Sequence, residues 1–370
     1  MSVDREKMRL SFLDQMSRRR FLAGSTSLAA AAASAGLVLP RRAFAQADTI
    51  RFCSWGGALQ DLQRTHVLTP FQEASGIRVV EDSLPFPSRI KAMVDSGNLE
   101  FDVVETDLLT QLTLEDMGEY FEPIDYSMLS PEALAGIPDE LKMDKAVGYF
   151  YWSYNIGFRT DKFGGASPQS WADVWDTEKF PGERTLTSAD DGQYPNLEFA
   201  LLADGVAKED LYPIDIDRAF ASLDKIKPSV AKWWSSGSEV VQLFTSGEVT
   251  TGSTYSGRIL TAKDEGAPVD LSWNDGQASL DYLMVVKGAP MEPAMKLLDA
   301  LLKVQPQIAI FNEYAGGPAN SDVLAGLKPG RAAVLPSDPA NLSKMYVQDS
   351  RWWADNFGTV VDRFHEWSLL

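Results

Sequence analysis

One cysteine and two histidines are all that this 370-residue chain offers as thiol or imidazole chemistry. A single thiol, Cys53, excludes an intrachain disulfide and a cysteine-based metal cluster, and its place in a strand-like run suits a small buried hydrophobe. Catalytic signatures are absent too: there is no G-x-S-x-G, no H-E-x-x-H, no G-x-x-x-x-G-K-[ST] and no G-x-G-x-x-G. His365-Glu366 lacks the second histidine that a zinc site of that kind requires. These gaps argue for a protein that is not an enzyme and holds no cofactor, although two carboxylates alone can hydrolyse a glycoside. Positive charge is also scarce, with 34 Lys and Arg against 52 Asp and Glu and a net charge of −18. Residues 1–45 hold eight of those basic and three of those acidic residues, so the remainder carries −23. Such a surface excludes nucleic acid as a partner, because phosphates need positive charge, and it draws in cations.

No apolar run long enough to span a bilayer occurs after residue 45. Before it, Ser17-Arg18-Arg19-Arg20-Phe21-Leu22 is a twin-arginine pattern. A weakly apolar, alanine-rich stretch then extends to Pro40, and Ala43-Phe44-Ala45 has the small residues of a cleavage site. Residues 1–45 therefore read as an export signal, with the rest of the chain working in the periplasm. The remaining 325 residues suffice for two domains.

The chain beyond the signal is organised around the stretch Thr49–Gln60. A strand over Ile50–Cys53 runs into Ser54-Trp55-Gly56-Gly57 and then a helix. Glycines there allow a sharp turn and close approach of a ligand, and in open α/β sheets ligands sit beyond the C-terminal strand ends. Trp55 is thus expected at a cleft mouth. Strand and helix signals then alternate. A helix over 58–75 is kinked at Pro70 and closed by Gly76, a strand spans 77–80, and a helix over 88–96 is capped by Ser88 and closed by Gly97. A strand over 101–105 and a helix over 108–117 complete a doubly wound α/β order. Glu105, Thr106 and Asp107 then share the rim with Trp55. The aromatic run 146–158 has strand character, and the tryptophans of Ser170–Trp175 suit a core. A loop carries Trp233 and Trp234, with Trp234 a candidate for the cleft. A strand over 248–251 leads to Tyr255 and Arg258 just beyond its end. Strands over 270–273 and 280–286 flank a polar loop, and helices span 291–304 and 306–314.

Six segments in this order, Phe52-Cys53-Ser54-Trp55, Ser75-Gly76-Ile77, Asp102-Val103-Val104, Ser170–Trp175, Gly247-Glu248-Val249 and Tyr255-Ser256-Gly257, resemble the spermidine/putrescine-binding family of ABC-importer substrate-binding proteins. The resemblance implies two α/β lobes joined by a hinge that closes over ligand. One lobe takes residues 48–150 plus 276–316, the other 151–275 plus 317–370. It also implies that Trp55 and Tyr255 are cleft aromatics, that Thr106 contacts ligand, and that Asp281 pairs with an ammonium. Where the family has an aromatic two positions before that carboxylate, this chain has Ser279, and the aromatic expected near Leu108 is missing. Asp190 and Asp191 stand near the family's second carboxylate pair, in a loop of different length.

The expected ligand is a polyamine-like small cation held by Trp55, Glu105, Thr106, Trp234, Tyr255 and Asp281, since a buried ammonium needs a carboxylate and aromatic faces. An amino-acid-like zwitterion is the alternative, with Arg258 meeting its carboxylate. The expected partners are that small amine and a membrane permease, with the protein acting as a monomer. A ferric-ion binder is a weaker alternative, because the chain has no adjacent tyrosines; a two-carboxylate hydrolase is weaker still.

Overall fold

In a computed structural model that describes residues 49–189 and 193–369, the chain folds around one continuous sheet. The export signal read at 1–45 and the acidic pair Asp190 and Asp191 lie outside the described residues. The strands are β1 (Thr49–Ser54), β2 (Arg78–Ser83), β3 (Val103–Asp107), β4 (Phe121–Glu122), β5 (Val147–Arg159) and β6 (Arg184–Thr187). They continue with β7 (Val230–Trp234), β8 (Thr251–Tyr255), β9 (Val269–Val286), β10 (Gly317–Pro318) and β11 (Tyr346–Val347). Their main order is β2-β1-β3-β9-β5-β8-β6-β7. Pairs β1–β2, β1–β3, β6–β7 and β6–β8 are parallel, so each wing is a β-α-β winding with helices on its faces. Between the wings run β5 and β9, two long strands antiparallel to each other and, respectively, to β8 and β3.

Those two strands carry the chain between two hydrophobic cores, which makes this a two-lobe α/β fold. Tyr149 and Phe150 of β5 lie in the first core and Tyr154 and Ile156 in the second; Val269 and Leu271 of β9 lie in the second and Leu283–Val286 in the first. The first core continues to Ala319 and Val323 before the chain returns through β11, which pairs with Gln277 and Ala278 of β9, to Trp353 and Trp367 in the second. Register shifts in the β5–β9 pairing fall between Gly148 and Phe150 and between Tyr154 and Ile156. The crossing segment is thus bracketed by irregularities that bend a sheet locally.

Local chemistry explains most elements. The first helical run, Gly57–Gln63, continues through a π-helical turn at Arg64–Leu68 into Thr69–Ser75 and stops at Gly76, whose φ of 74° suits a left-handed cap. The π turn sits where the Pro70 ring would meet the carbonyl four residues back, so the proline is accommodated by widening the helix. Four expectations need correction. Ser88 is not a cap: Pro87 opens the helix Pro87–Ser96 and no side chain caps it. Trp233 and Trp234 lie in β7 and not in a loop. The strand expected at 248–251 runs instead over Thr251–Tyr255, where Gly252 lets β6 come so close that a Cβ would lie 1.9 Å from the Thr185 carbonyl oxygen. The polar segment between 273 and 280 is not a loop but the middle of β9, with Asp275 absorbing the irregularity at φ 55°.

Candidate functional site

Asp281, at the crossing of the lobes, is the hub of the site. It is 2% exposed, and both carboxylate oxygens accept indole N–H groups. Trp55 Nε1 donates to Oδ2 at 2.8 Å and Trp152 Nε1 to Oδ1 at 2.8 Å. Trp55 comes from the turn after β1, where Gly56 and Gly57 at φ 78° and 64° swing the chain into the helix beyond. Trp152 comes from β5. Burial pushes the Asp281 carboxyl up to about 7, with a further rise from the Asp107 charge, while the two indoles pull it back.

An aromatic wall adjoins this carboxylate. Tyr154 and Tyr255, cross-strand partners on β5 and β8, stack with ring centroids 4.6 Å apart and share a hydroxyl hydrogen bond of 2.8 Å. Trp152 meets Tyr255 edge-on at 5.8 Å. The structure therefore brings Trp55, Asp281 and Tyr255 together, the first two directly and the third through Trp152. Sequence reasoning missed Trp152. Its signal lay in the period-two alternation of Phe150, Trp152 and Tyr154 along the aromatic run.

The other candidates fall differently. Glu105 is fully buried behind the hub, accepts the Gln63 side-chain amide, and is raised well above the usual carboxylate range, first by burial and then by the Asp281 charge. Thr106, placed on the same rim by sequence, points to the opposite face, because side chains alternate along β3 and its cross-strand partner is Tyr282. Trp234 is not at the cleft surface: it is fully buried, its indole donates to the Ser253 carbonyl at 3.1 Å, and it backs Tyr255 edge-on at 5.3 Å. Arg258 is exposed in the first turn of the helix Ser256–Asp264 and, among the described residues, has no hydrogen bond or ion pair. A second residue missed from sequence is Tyr314. Its half-buried phenol, pushed up to about 12 chiefly by burial, feels the positive charge of Arg258 and the negative charges of Glu105 and Asp281.

The family model for bacterial extracellular solute-binding proteins matches residues 66–341. The chain belongs to that family. This solute-binding protein is 34% identical over 340 residues to the gamma-aminobutyric acid-binding protein of Pseudomonas aeruginosa, covering 90% of this chain and 94% of that one. It is 26% identical to the spermidine/putrescine-binding periplasmic protein of Escherichia coli, over 93% and 94% of the two chains. Its fold matches the crystal structure of an ABC transporter substrate-binding protein from Bradyrhizobium japonicum USDA 110, with a TM-score of 0.79 and 36% identity over 86% of this chain and 99% of that one.

A buried carboxylate held by neutral donors, with aromatic faces beside it, has the chemistry to accept an ammonium. No group of three or more His, Cys, Asp or Glu side chains arranged to hold a metal ion occurs among the described residues. No described helix is long and apolar enough to cross a membrane.

Proposed function

We propose that this solute-binding protein captures a short ω-amino acid in the periplasm and hands it, as a monomer, to an ABC permease. The ligand ammonium sits on Asp281 between the Trp55 and Trp152 indoles, and its carboxylate turns toward Arg258. One observation carries the reading: Asp281 is buried with both oxygens on neutral N–H donors and, among the described residues, no ion-pair partner. A carboxylate in that setting gains strongly from an incoming ammonium, because a buried charge left unpaired is costly. The span also fits. Asp281 on β9 and Tyr255 on β8 are bridged by Trp152 of the intervening β5, which donates to the carboxylate at 2.8 Å and meets the Tyr255 ring at 5.8 Å, and Arg258 lies just past Tyr255 at the start of a helix. Tyr314, which feels both ends of that span, stands ready to hydrogen-bond a ligand between them.

Isothermal titration with γ-aminobutyrate, putrescine and spermidine tests the assignment. The expected result is binding of γ-aminobutyrate, lost by at least ~100-fold in Asp281→Asn, as removal of a buried ion-pair partner implies. Arg258→Ala should weaken the amino acid and leave a diamine unaffected or improved. Silence of the wild type toward all three ligands would sink the proposal. A polyamine is the second reading, favoured by the clustering of Glu105, Asp107 and Asp281 at the hub; tighter binding of putrescine than of γ-aminobutyrate would select it.

A further inference from the structure

Beside the hub, at the junction of the two cores, lies a cavity of about 80 Å³ whose lining includes Asp107, Gln193, Ser279, Tyr282 and Gln348. It flanks Asp281 on the side away from Arg258, because β3 borders β9 on one side while β5 and β8 lie on the other. Asp107 and Asp281 are directly opposed across β3 and β9, a pairing that brings Cβ atoms to roughly 5 Å. An ammonium seated on Asp281 thus has a second carboxylate next to it. That second carboxylate is already engaged. One oxygen caps the helix Leu108–Glu115 by accepting the Thr110 N–H at 2.7 Å, and the other accepts the Gln193 amide at 3.0 Å. Gln193 reaches across from the other half of the fold and is 6% exposed. Its Oε1 has no hydrogen-bond partner among the described residues, nor has the Nε2 of Gln348, which is 8% exposed.

Resting on the assignment of an ammonium to Asp281, we infer that Gln193 is the residue that selects a single-ended amine over a diamine. By holding Asp107 with a neutral amide, it denies a diamine its second anionic anchor. A four-carbon diamine seated on Asp281 faces two poor choices for its other end. Toward Arg258 it meets a like charge; toward Asp107 it must expel the Gln193 amide from a buried acceptor. The cavity is roomy enough for small polar groups such as water to serve the unpartnered Gln193 oxygen and Gln348 nitrogen. An ω-amino acid needs neither change.

Titration of γ-aminobutyrate and putrescine into the wild type, Gln193→Ala, Gln193→Met and Gln193→Ala/Asp107→Asn decides it. The wild type should favour the amino acid. Both single variants should move the affinity ratio at least tenfold toward the diamine, and Asp107→Asn, which still caps a helix well, should remove that gain. The Met variant preserves side-chain volume, so a folded protein is available even if truncation loosens the junction. A ratio unchanged within twofold in both single variants, with wild-type binding intact, overturns the inference. Wild-type silence toward both ligands overturns instead the ammonium assignment on which it rests.

Discussion

Each oxygen of Asp281 has one neutral donor, and the two donors differ in what they hold. Trp55 rides on a turn of the first lobe, with Phe86 packed edge-on against it at 6.3 Å, whereas Trp152 is fixed in β5 and also meets Tyr154 and Tyr255. The Trp152 N–H is one of the two groups that pull the Asp281 carboxyl down, so without it an incoming ammonium must ionise a weaker buried acid, at a cost of about 1–3 kcal/mol. Trp152→Phe should therefore weaken amine binding by roughly 10- to 100-fold while keeping the aromatic wall. A calorimetric titration showing unchanged affinity would mean that the indole packs but does not orient the carboxylate. At this scale the sequence was informative where the chemistry is local. Trp55 stands before two glycines and Tyr255 before Ser-Gly, turn contexts that advertise an exposed strand end. The period-two spacing of Phe150, Trp152 and Tyr154 groups these three aromatics on one face of the strand, but in a run that is apolar on both faces it does not say which of them meets a cleft.

At the level of elements, the tie between the helix Asn196–Ala203 and the C-terminal helix Ser350–Ser368 runs through one buried acid. Glu198 accepts the Tyr212 hydroxyl at 2.6 Å and the Trp353 indole at 2.7 Å, both on one oxygen. Burial pushes this carboxyl up to about 7. A group whose folded value lies above its unfolded one adds stability below the unfolded value, near 4.5, and loses it as pH rises through about 7. Glu198→Gln keeps an acceptor for both donors and removes the titration. Thermal melts followed by circular dichroism should show the variant losing less stability than the wild type between pH 5 and pH 8, and melting higher at pH 8. Equal slopes would show that Glu198 is already ionised in the folded protein across that range. Elements were legible in sequence wherever a cap or a glycine marked the end, as at Gly76, Gly97 and Gly247, all left-handed. They were not legible where turn-like residues sit inside a strand. Asn274-Asp275-Gly276 reads as a break, yet pairing of Gln277 and Ala278 with both β5 and β11 carries β9 straight through.

For the whole molecule, two lobes share one sheet and exchange the chain through β5, β9 and β11, so the buried carboxylate and the aromatic wall are built on the strands that cross between the lobes. Asp107 and Gln193, from opposite halves, meet at that junction, as do Asp116 and Arg351 on the surface. The α/β lobes could be read from the alternation of strands and helices, but fusion of the lobes into one sheet could not, because long-range pairing leaves no mark in local patterning. The most direct check of the account is the proton balance of ligand binding. An Asp281 carboxyl near 7 in the free protein must ionise when an ammonium arrives. Titration of γ-aminobutyrate at pH 6 in buffers of different ionisation enthalpy should report release of about 0.9 proton per ligand, falling toward zero at pH 8.5 and absent in any residual binding by Asp281→Asn. Binding with no proton exchange at pH 6, or release that persists in the Asn variant, would contradict the placement of the ammonium on Asp281.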